Sequence, residues 1–450
     1  MAGGTWTSQT KVRPGAYINF KAVDRNTMRV GDRGVVAIGL SLSWGVSGSL
    51  IEVLSSDFLN GGSKKLVGFS YSDISGNSAA RILGGALAYC YKALVYRMDA
   101  GGTKASGTIG KLICTAKYYG TFPNNNLKVI VTKNGIIYTV ATYVGTSKVD
   151  DQKVTSISQL VSNDYIDFSE GVSGSFDVGN VMLSGGTNGT VTEASAYESM
   201  FALLENANWQ TLACISTVST SGGAIPLSVA FIKRLREEEG RYVQGVVANY
   251  DSADDEGIIN NVCGAVIGGT QWSAAEFCAI VAGMTAGANF NESNTARVID
   301  NATSIVNQLT DEQIKQALSA GKFVLSTTAE GRVKVEQDIN SLHTYGEDRS
   351  YAFSKNRVIR VLDEIGTTVR NTWEDSYMGK VDNNDNGRTM FRSDLIVYLS
   401  ELERLNAIQN FTVNDVVVTQ GEDIDSVLVT LAIMPVDSME KLYMIINVSS

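Results

Sequence analysis

Histidine is almost missing from this chain of 450 residues: His343 stands alone. One imidazole excludes multi-histidine zinc sites and the H-E-x-x-H helix motif, which need at least two. A Ser-His-Asp hydrolase would have to use His343, and no G-x-S-x-G elbow exists to receive it. Basic residues are also in short supply, 37 Lys and Arg against 47 Asp and Glu, for a net charge of −10. That balance argues against a nucleic-acid binder. The five cysteines, Cys90, Cys114, Cys214, Cys263 and Cys278, are odd in number, scattered and without a C-x-x-C pair. They read as buried reduced thiols of a cytosolically made protein. Long hydrophobic runs are absent: the longest, residues 427–436, is about half of the ~20 residues that span a bilayer. No apolar stretch follows Met1, so no signal peptide is expected, and the chain reads as a soluble protein. Proline is scarce, 4 residues beside 44 glycines without a G-X-Y period, which points to many turns and strands.

What is present suffices for several cores. The chain is 44% hydrophobic and 19% charged, and its length corresponds to about three domains. From Pro14 the chain reads as extended, with Ala16, Ile18 and Phe20 alternating with Tyr17 and Asn19. Residues 35–40 and 93–96 read as buried strands and 78–91 as helix-compatible. Between 101 and about 184, β-rich runs at 111–116, 127–132, 136–143 and 165–168 alternate with Gly, Asn, Asp and Ser clusters. That spacing predicts a small β-sandwich or barrel-like insertion. From 193 to 339 helices (197–206, 226–239) alternate with strands (211–216, 243–249, 323–328, 333–338), giving an α/β domain with at least one βαβ unit. Thr310-Asp311-Glu312-Gln313 is a capping box, and Gly321 closes its helix. Two amphipathic helices follow, one with Val358, Leu362, Ile365, Val369 and Trp373 on a face, the other with Phe391, Leu395, Tyr398, Leu399, Leu402 and Leu405. Strands at 416–419, 427–433 and 442–448 end the pattern.

Candidate chemistry is thin. Asp382-Asn383-Asn384-Asp385-Asn386-Gly387 matches the first half of a calcium loop, but Ser393 stands where the bidentate glutamate belongs. A structural turn is the stronger reading, with a calcium-binding interaction protein as an alternative. Ser221-Gly222-Gly223 precedes a helix as phosphate loops do, yet lacks G-x-G-x-x-G and G-K-[ST], so a plain connection is favoured. Asp254-Asp255-Glu256 reads as solvated surface. A hydrolase-like α/β enzyme using His343 is the remaining catalytic alternative. The two ends differ sharply in charge. Residues 1–40 carry six basic and two acidic side chains, net +4, whereas 341–450 carry ten and seventeen, net −7. A long basic arm with Trp6, Tyr17 and Phe20 either folds back on its own chain or pairs with another copy. In the second case subunits add head to tail into rings or filaments.

Motifs along the whole length resemble the tail sheath proteins of contractile phage tails and R-type bacteriocins, notably those of Gram-positive hosts. They include Arg13-Pro14-Gly15-Ala16-Tyr17-Ile18, Lys92-Ala93-Leu94-Val95-Tyr96-Arg97 and Thr115-Ala116-Lys117-Tyr118-Tyr119-Gly120. Further along stand Arg234-Leu235-Arg236-Glu237-Glu238-Glu239-Gly240, Asp255-Glu256-Gly257-Ile258-Ile259-Asn260 and Met434-Pro435-Val436-Asp437-Ser438-Met439-Glu440. One departure is Thr121-Phe122-Pro123, where relatives often carry Gly-Asn-Asp in the turn. The resemblance implies a mixed α+β and α/β multidomain chain. An inter-subunit arm (1–20) leads into the N-terminal part of a discontinuous assembly core (21–100). A β-sandwich-like insertion (101–185), a subtilisin-like α/β domain without a catalytic triad (186–340) and a C-terminal core domain (341–450) follow. It also implies a structural, non-enzymatic homo-oligomer of stacked hexameric rings, helically arranged around an inner tail tube protein and ending on baseplate and tail terminator proteins. Such a sheath contracts to drive the tube through a target envelope, without cofactor, direct nucleic-acid contact or membrane insertion. The particle would be a virion tail or a bacteriocin, made in the host bacterial cytoplasm. The implied inter-subunit strand mesh joins Val12, Arg13, Pro14, Gly15, Ala16, Tyr17, Ile18, Asn19 and Phe20 to Leu442, Tyr443, Met444, Ile445, Ile446, Asn447 and Val448 of neighbouring copies.

Overall fold

The computed structural model describes residues 33–448, together with the backbone of two short strands, Ala2–Gly4 and Gly15–Tyr17. The main sheet of the described residues has seven strands in the order Lys322–Phe323, Ile258–Asn261, Gln244–Ala248, Thr211–Ala213, Val35–Leu40, Lys92–Arg97, Leu50–Leu54. The first six run parallel, and Leu50–Leu54 closes the edge antiparallel to Lys92–Arg97. Parallel strands are covered on both faces, so Val35–Leu40 is buried at every position and reads as a continuous apolar run. Of residues 21–100, expected to form the N-terminal part of the assembly core, the described part supplies three strands of this sheet. Parallel pairing between strands more than a hundred residues apart leaves no local mark in sequence.

Helices cover both faces of this sheet. Helices α1 (Ser78–Leu87), α2 (Glu193–Leu204), α3 (Ala224–Glu237), α4 (Ala274–Gly287) and α5 (Asp311–Ser319) belong to this unit. One core joins α1, α4 and α5 to Val36, Ile38 and Val95, while α2 and α3 pack with Val35, Ala37 and Leu94 on the opposite face. Helix α4 crosses α1 so closely that a Cβ on Gly283 would lie 2.4 Å from the Ala86 carbonyl oxygen. Both predicted caps form: the Thr310 hydroxyl accepts from the Gln313 amide, and Gly321 turns at φ 65°. The expected strand over 323–328 serves two sheets, since Leu325–Thr327 leaves the main sheet to pair with Val333–Val335.

Residues 106–182 form two facing sheets, with no closed barrel among the described residues. Ile166–Glu170, Leu112–Ala116 and Ser106–Ile109 make one; Ser147–Val154, Ile137–Val144, Leu127–Asn134 and Gly179–Met182 make the other. Alternate residues Leu112, Cys114 and Ala116 meet Leu127, Val129 and Val131 in the core. Trp44, from the α/β unit, is fully buried in this second core against Tyr118. Arg97 and Asp99, paired at 2.6 Å with no more than 1% exposure, lock the same junction.

The C-terminal unit contains α6 (Asn356–Thr372) and α7 (Asp385–Arg404), with the antiparallel pair Val416–Gln420 and Val427–Leu431. The face expected for α7 is packed, with Phe391, Leu395, Tyr398, Leu399 and Leu402 in one core; on α6 Ile365, Val369 and Trp373 join it as expected, but Val361 takes part where Val358 and Leu362 were expected. Residues 442–448 are not a strand in this single chain. They pair with nothing among the described residues, because a ladder requires a second strand and none lies beside them.

Candidate assembly interface

The candidate interface consists of the two chain ends and the seam that fixes the C-terminal unit to the body. The carboxy-terminal chain stays docked through Pro435, which bridges to Ile408, and Val436, whose amide donates to the Ala407 carbonyl at 2.9 Å. Beyond residue 440 every described residue is exposed. Leu442, Tyr443, Ile445 and Val448 are each at least 85% exposed, and Met444 and Ile446 at least 70%. As an extended chain this segment would place Leu442, Met444, Ile446 and Val448 on one face and Tyr443 and Ile445 on the other. Apolar side chains on both faces are the pattern of a strand that is covered on both sides. Large apolar groups exposed in sequence order mark an interaction site.

At the other end, Gly15–Tyr17 pairs parallel with Ala2–Gly4, Ala16 opposite Gly3. Three residues per strand in a two-stranded sheet are far from self-sustaining. The other expected arm positions, Val12, Arg13, Pro14, Ile18, Asn19 and Phe20, lie outside the described residues.

The seam between α6 and the α/β unit is ionic. Asn356, Arg360, Asp363 and Glu364 are buried on one flank of α6 while Val361 and Ile365 face its partner α7. Arg236 holds Asp363 with two bonds of 2.8 and 2.9 Å. Arg360 meets Asp338 at 2.7 Å with both side chains no more than 1% exposed, and Asn356 Nδ2 donates to the same carboxylate at 2.9 Å. Burial alone would raise the Asp338 carboxyl, but the Arg360 guanidinium and the Asn294 amide hold it below the usual range. Sequence reasoning missed this flank because charged residues on an amphipathic helix read as its wet side. The Arg234-to-Gly240 motif meets α6 here through Arg236 and Asp363, a pairing that spacing alone does not reveal.

The alternative chemistries lose their geometry. His343 Nδ1 sits 2.9 Å from the Ser341 carbonyl and 3.2 Å from Asp254 Oδ1, but among the described residues Nε2 has no hydroxyl partner. Ser341 Oγ is committed to Asp255 instead. The run read as solvated surface is a set of ties: Asp254 accepts from the His343 and Thr344 amides, Asp255 is buried beside Lys233, and Glu256 meets Arg349 at 3.3 Å. In the calcium-like loop Asn384 caps α7 through the Gly387 amide, and Asn383 Nδ2 donates to the Ile424 and Ser426 carbonyls. These side chains are turned to protein partners rather than to a shared centre. The phosphate-like loop is closed from within, since the Ile225 amide at the start of α3 donates to the Val218 carbonyl.

Comparison with known proteins accords with this geometry. The phage tail sheath beta-sandwich domain family matches residues 100–188, the central domain family 189–341 and the C-terminal domain family 348–449. A sheath tail protein from Desulfitobacterium hafniense is 36% identical, with a TM-score of 0.80 over 96% of this chain and 99% of its own. The uncharacterized protein YqbK of Bacillus subtilis is 32% identical over the whole of both chains. The helical sheath of the anti-feeding prophage in its contracted state shares the fold, at 10% identity and a TM-score of 0.59 over 97% of this chain and 99% of its own.

Proposed function

This chain belongs to the phage tail sheath protein family and is a structural, non-enzymatic subunit of a contractile sheath; from that premise we propose that its two ends join one subunit to the next. Residues 12–20 of one copy and 442–448 of another complete a small shared sheet. The exposed apolar segment at 442–448 carries this reading, because it is built for burial on both faces and finds no cover among the described residues of its own chain. Joined this way, subunits stack as hexameric rings in a helix around an inner tail tube, with baseplate and terminator proteins at its ends. The particle is a virion tail or a bacteriocin. Main-chain pairing acts as a hinge that survives contraction while the subunit bodies exchange surface partners. The energy comes from the difference between two packings of the same chain, so no nucleotide is consumed.

Electron microscopy of the purified protein tests the reading. The full chain should form hollow tubes or rings. Chains lacking residues 1–20 or 442–450 should remain folded monomers with unchanged melting of the body. Polymers of normal form from either truncated chain would overturn the proposal.

A further inference from the structure

One carboxylate breaks the pattern of the exposed C-terminal segment. The side chain of Glu440 is 10% exposed, although Met439 before it and every residue from 441 to 448 after it stand in solvent. It accepts from Thr295 Oγ1 at 2.8 Å, from Gln337 Nε2 at 2.6 Å and from the Lys355 ammonium. Thr295 follows α4, Gln337 follows the strand Val333–Val335, and Lys355 directly precedes α6, so one carboxylate gathers both units. The donors are themselves held in place. Thr295 Oγ1 accepts from the Asp338 amide at 2.9 Å, and Lys355, 6% exposed, lies 5.4 Å over the Tyr351 ring. The cluster is thus continuous with the buried Asp338–Arg360 pair of the seam.

We propose that Glu440 anchors the exchange segment: its carboxylate fixes where residues 442–448 leave one subunit for a second copy of the chain. This rests on the terminal-exchange reading above and adds the group that positions the segment. Among the described residues, Glu440 makes the last tie before the free segment; the last main-chain tie is Val436 to Ala407. Releasing Glu440 therefore returns four residues to the tether, about 13 Å of added reach when extended. Strand pairing sets register within the shared sheet but not the distance or direction from that sheet to the body. A helical polymer repeats one subunit-to-subunit operation, so slack at this point would enter every joint. The chemistry suits that role. A buried ion pair adds little net stability but rewards one arrangement over its neighbours, provided every lone pair is satisfied. The anchor also sits at the edge of a cleft of about 900 Å³ lined by Lys315, Lys334, Tyr345 and Met439, which leaves room for a released segment to wander.

Full-length Glu440→Ala and Glu440→Gln chains, compared with wild type and with the chain lacking 442–450, test the assignment. In the unassembled protein, amide exchange at residues 437–440 should quicken about ten-fold in Glu440→Ala while the body exchanges as in wild type. Its polymers, imaged by cryo-electron microscopy, should show about twice the wild-type spread in rotation between successive subunits. Glu440→Gln keeps an acceptor for Thr295 and should fall between the two. Loss of polymer from a Glu440→Ala chain with a wild-type body would also support the anchor. Wild-type exchange at 437–440, or a wild-type rotational spread, would overturn it. Should Glu440→Ala fail to fold, Gln337→Ala removes one donor and is read by the same two measurements. Normal polymers from the chain lacking 442–450 would instead overturn the exchange reading, so the two failures are distinct.

Discussion

Helix α4 and residues 442–448 are both apolar on every side, yet they meet opposite fates. In α4 eleven residues from Ala275 to Ala286 are buried, enclosed by α1 and the main sheet. In 442–448 six apolar side chains stand in solvent. An element without a polar face has no stable place at a surface. Helix α4 finds its cover within the chain, whereas the C-terminal segment has none among the described residues. On the proposed function the difference separates what holds a subunit together from what holds subunits to one another, and mutations should divide along the same line.

The largest expected effect is on the inner element. Phe277 in α4 is fully buried, so Phe277→Ala should cost about 3–5 kcal/mol. That is a large share of the roughly 5–15 kcal/mol that holds a domain folded. Thermal or denaturant melting of the unassembled chain reads it directly. Ile445→Asp should do the reverse: stability of the unassembled chain should change by less than about 0.5 kcal/mol, while polymer formation is lost. The comparison would break if Ile445→Asp lowered the melting temperature of the unassembled chain, or if it assembled normally.

How legible each region was in sequence follows from the same contrast. Alternation of period two exposed the sandwich strands, and the 3.6-residue stripe exposed α6 and α7, because each has one wet and one dry face. Helix α4 has no such stripe and was not read, although Ser273 and Glu276 form a capping box at its start. The main sheet was legible in pieces but not in order, since parallel partners such as Val36 and Thr211 are far apart in sequence. At the candidate interface, the two terminal runs were visible as apolar patterns. The anchor was not, because a glutamate beside a lysine in an acidic tail reads as solvated charge, and its donors are at least 85 residues away.

An intermediate effect should come from acid, and it should fall on the seam rather than on the free segment. Burial would raise the Asp338 and Glu440 carboxyls, but Arg360 and Asn294 at the first, and Lys355, Gln337 and Thr295 at the second, hold both below their usual values. A carboxyl depressed in the folded state adds stability above its unfolded pKa of about 4, and loses it as pH falls through the folded value. Melting of the unassembled chain should therefore be nearly flat from about pH 8 to 5 and fall below about pH 4, with Asp338→Asn flattening the decline. Residues 442–448 contain no carboxyl group, so shared-sheet pairing should not itself follow this profile. An acid profile that is identical in Asp338→Asn would remove the seam carboxyl from the account.

The smallest expected effect concerns the polarity of charge between the ends. The basic N-terminal region carries Lys11, Arg13, Lys21 and Arg25, and the turn after Val416–Gln420 exposes Glu422, Asp423 and Asp425. If apolar cover closes the joint, charge serves to steer the encounter and select the register, and salt screens it beyond about 8 Å at physiological ionic strength. Reversing all four basic residues to Glu should raise the concentration needed for assembly at low salt by about ten-fold, roughly one step of 1.4 kcal/mol. The gap between reversed and wild-type chains should then narrow as salt is added, because the term that differs is the one that salt removes. Light scattering across a salt series measures both. A loss of assembly as complete as that of Ile445→Asp, and unrelieved by salt, would place the joint in the charges. Full insensitivity would confine it to the strand.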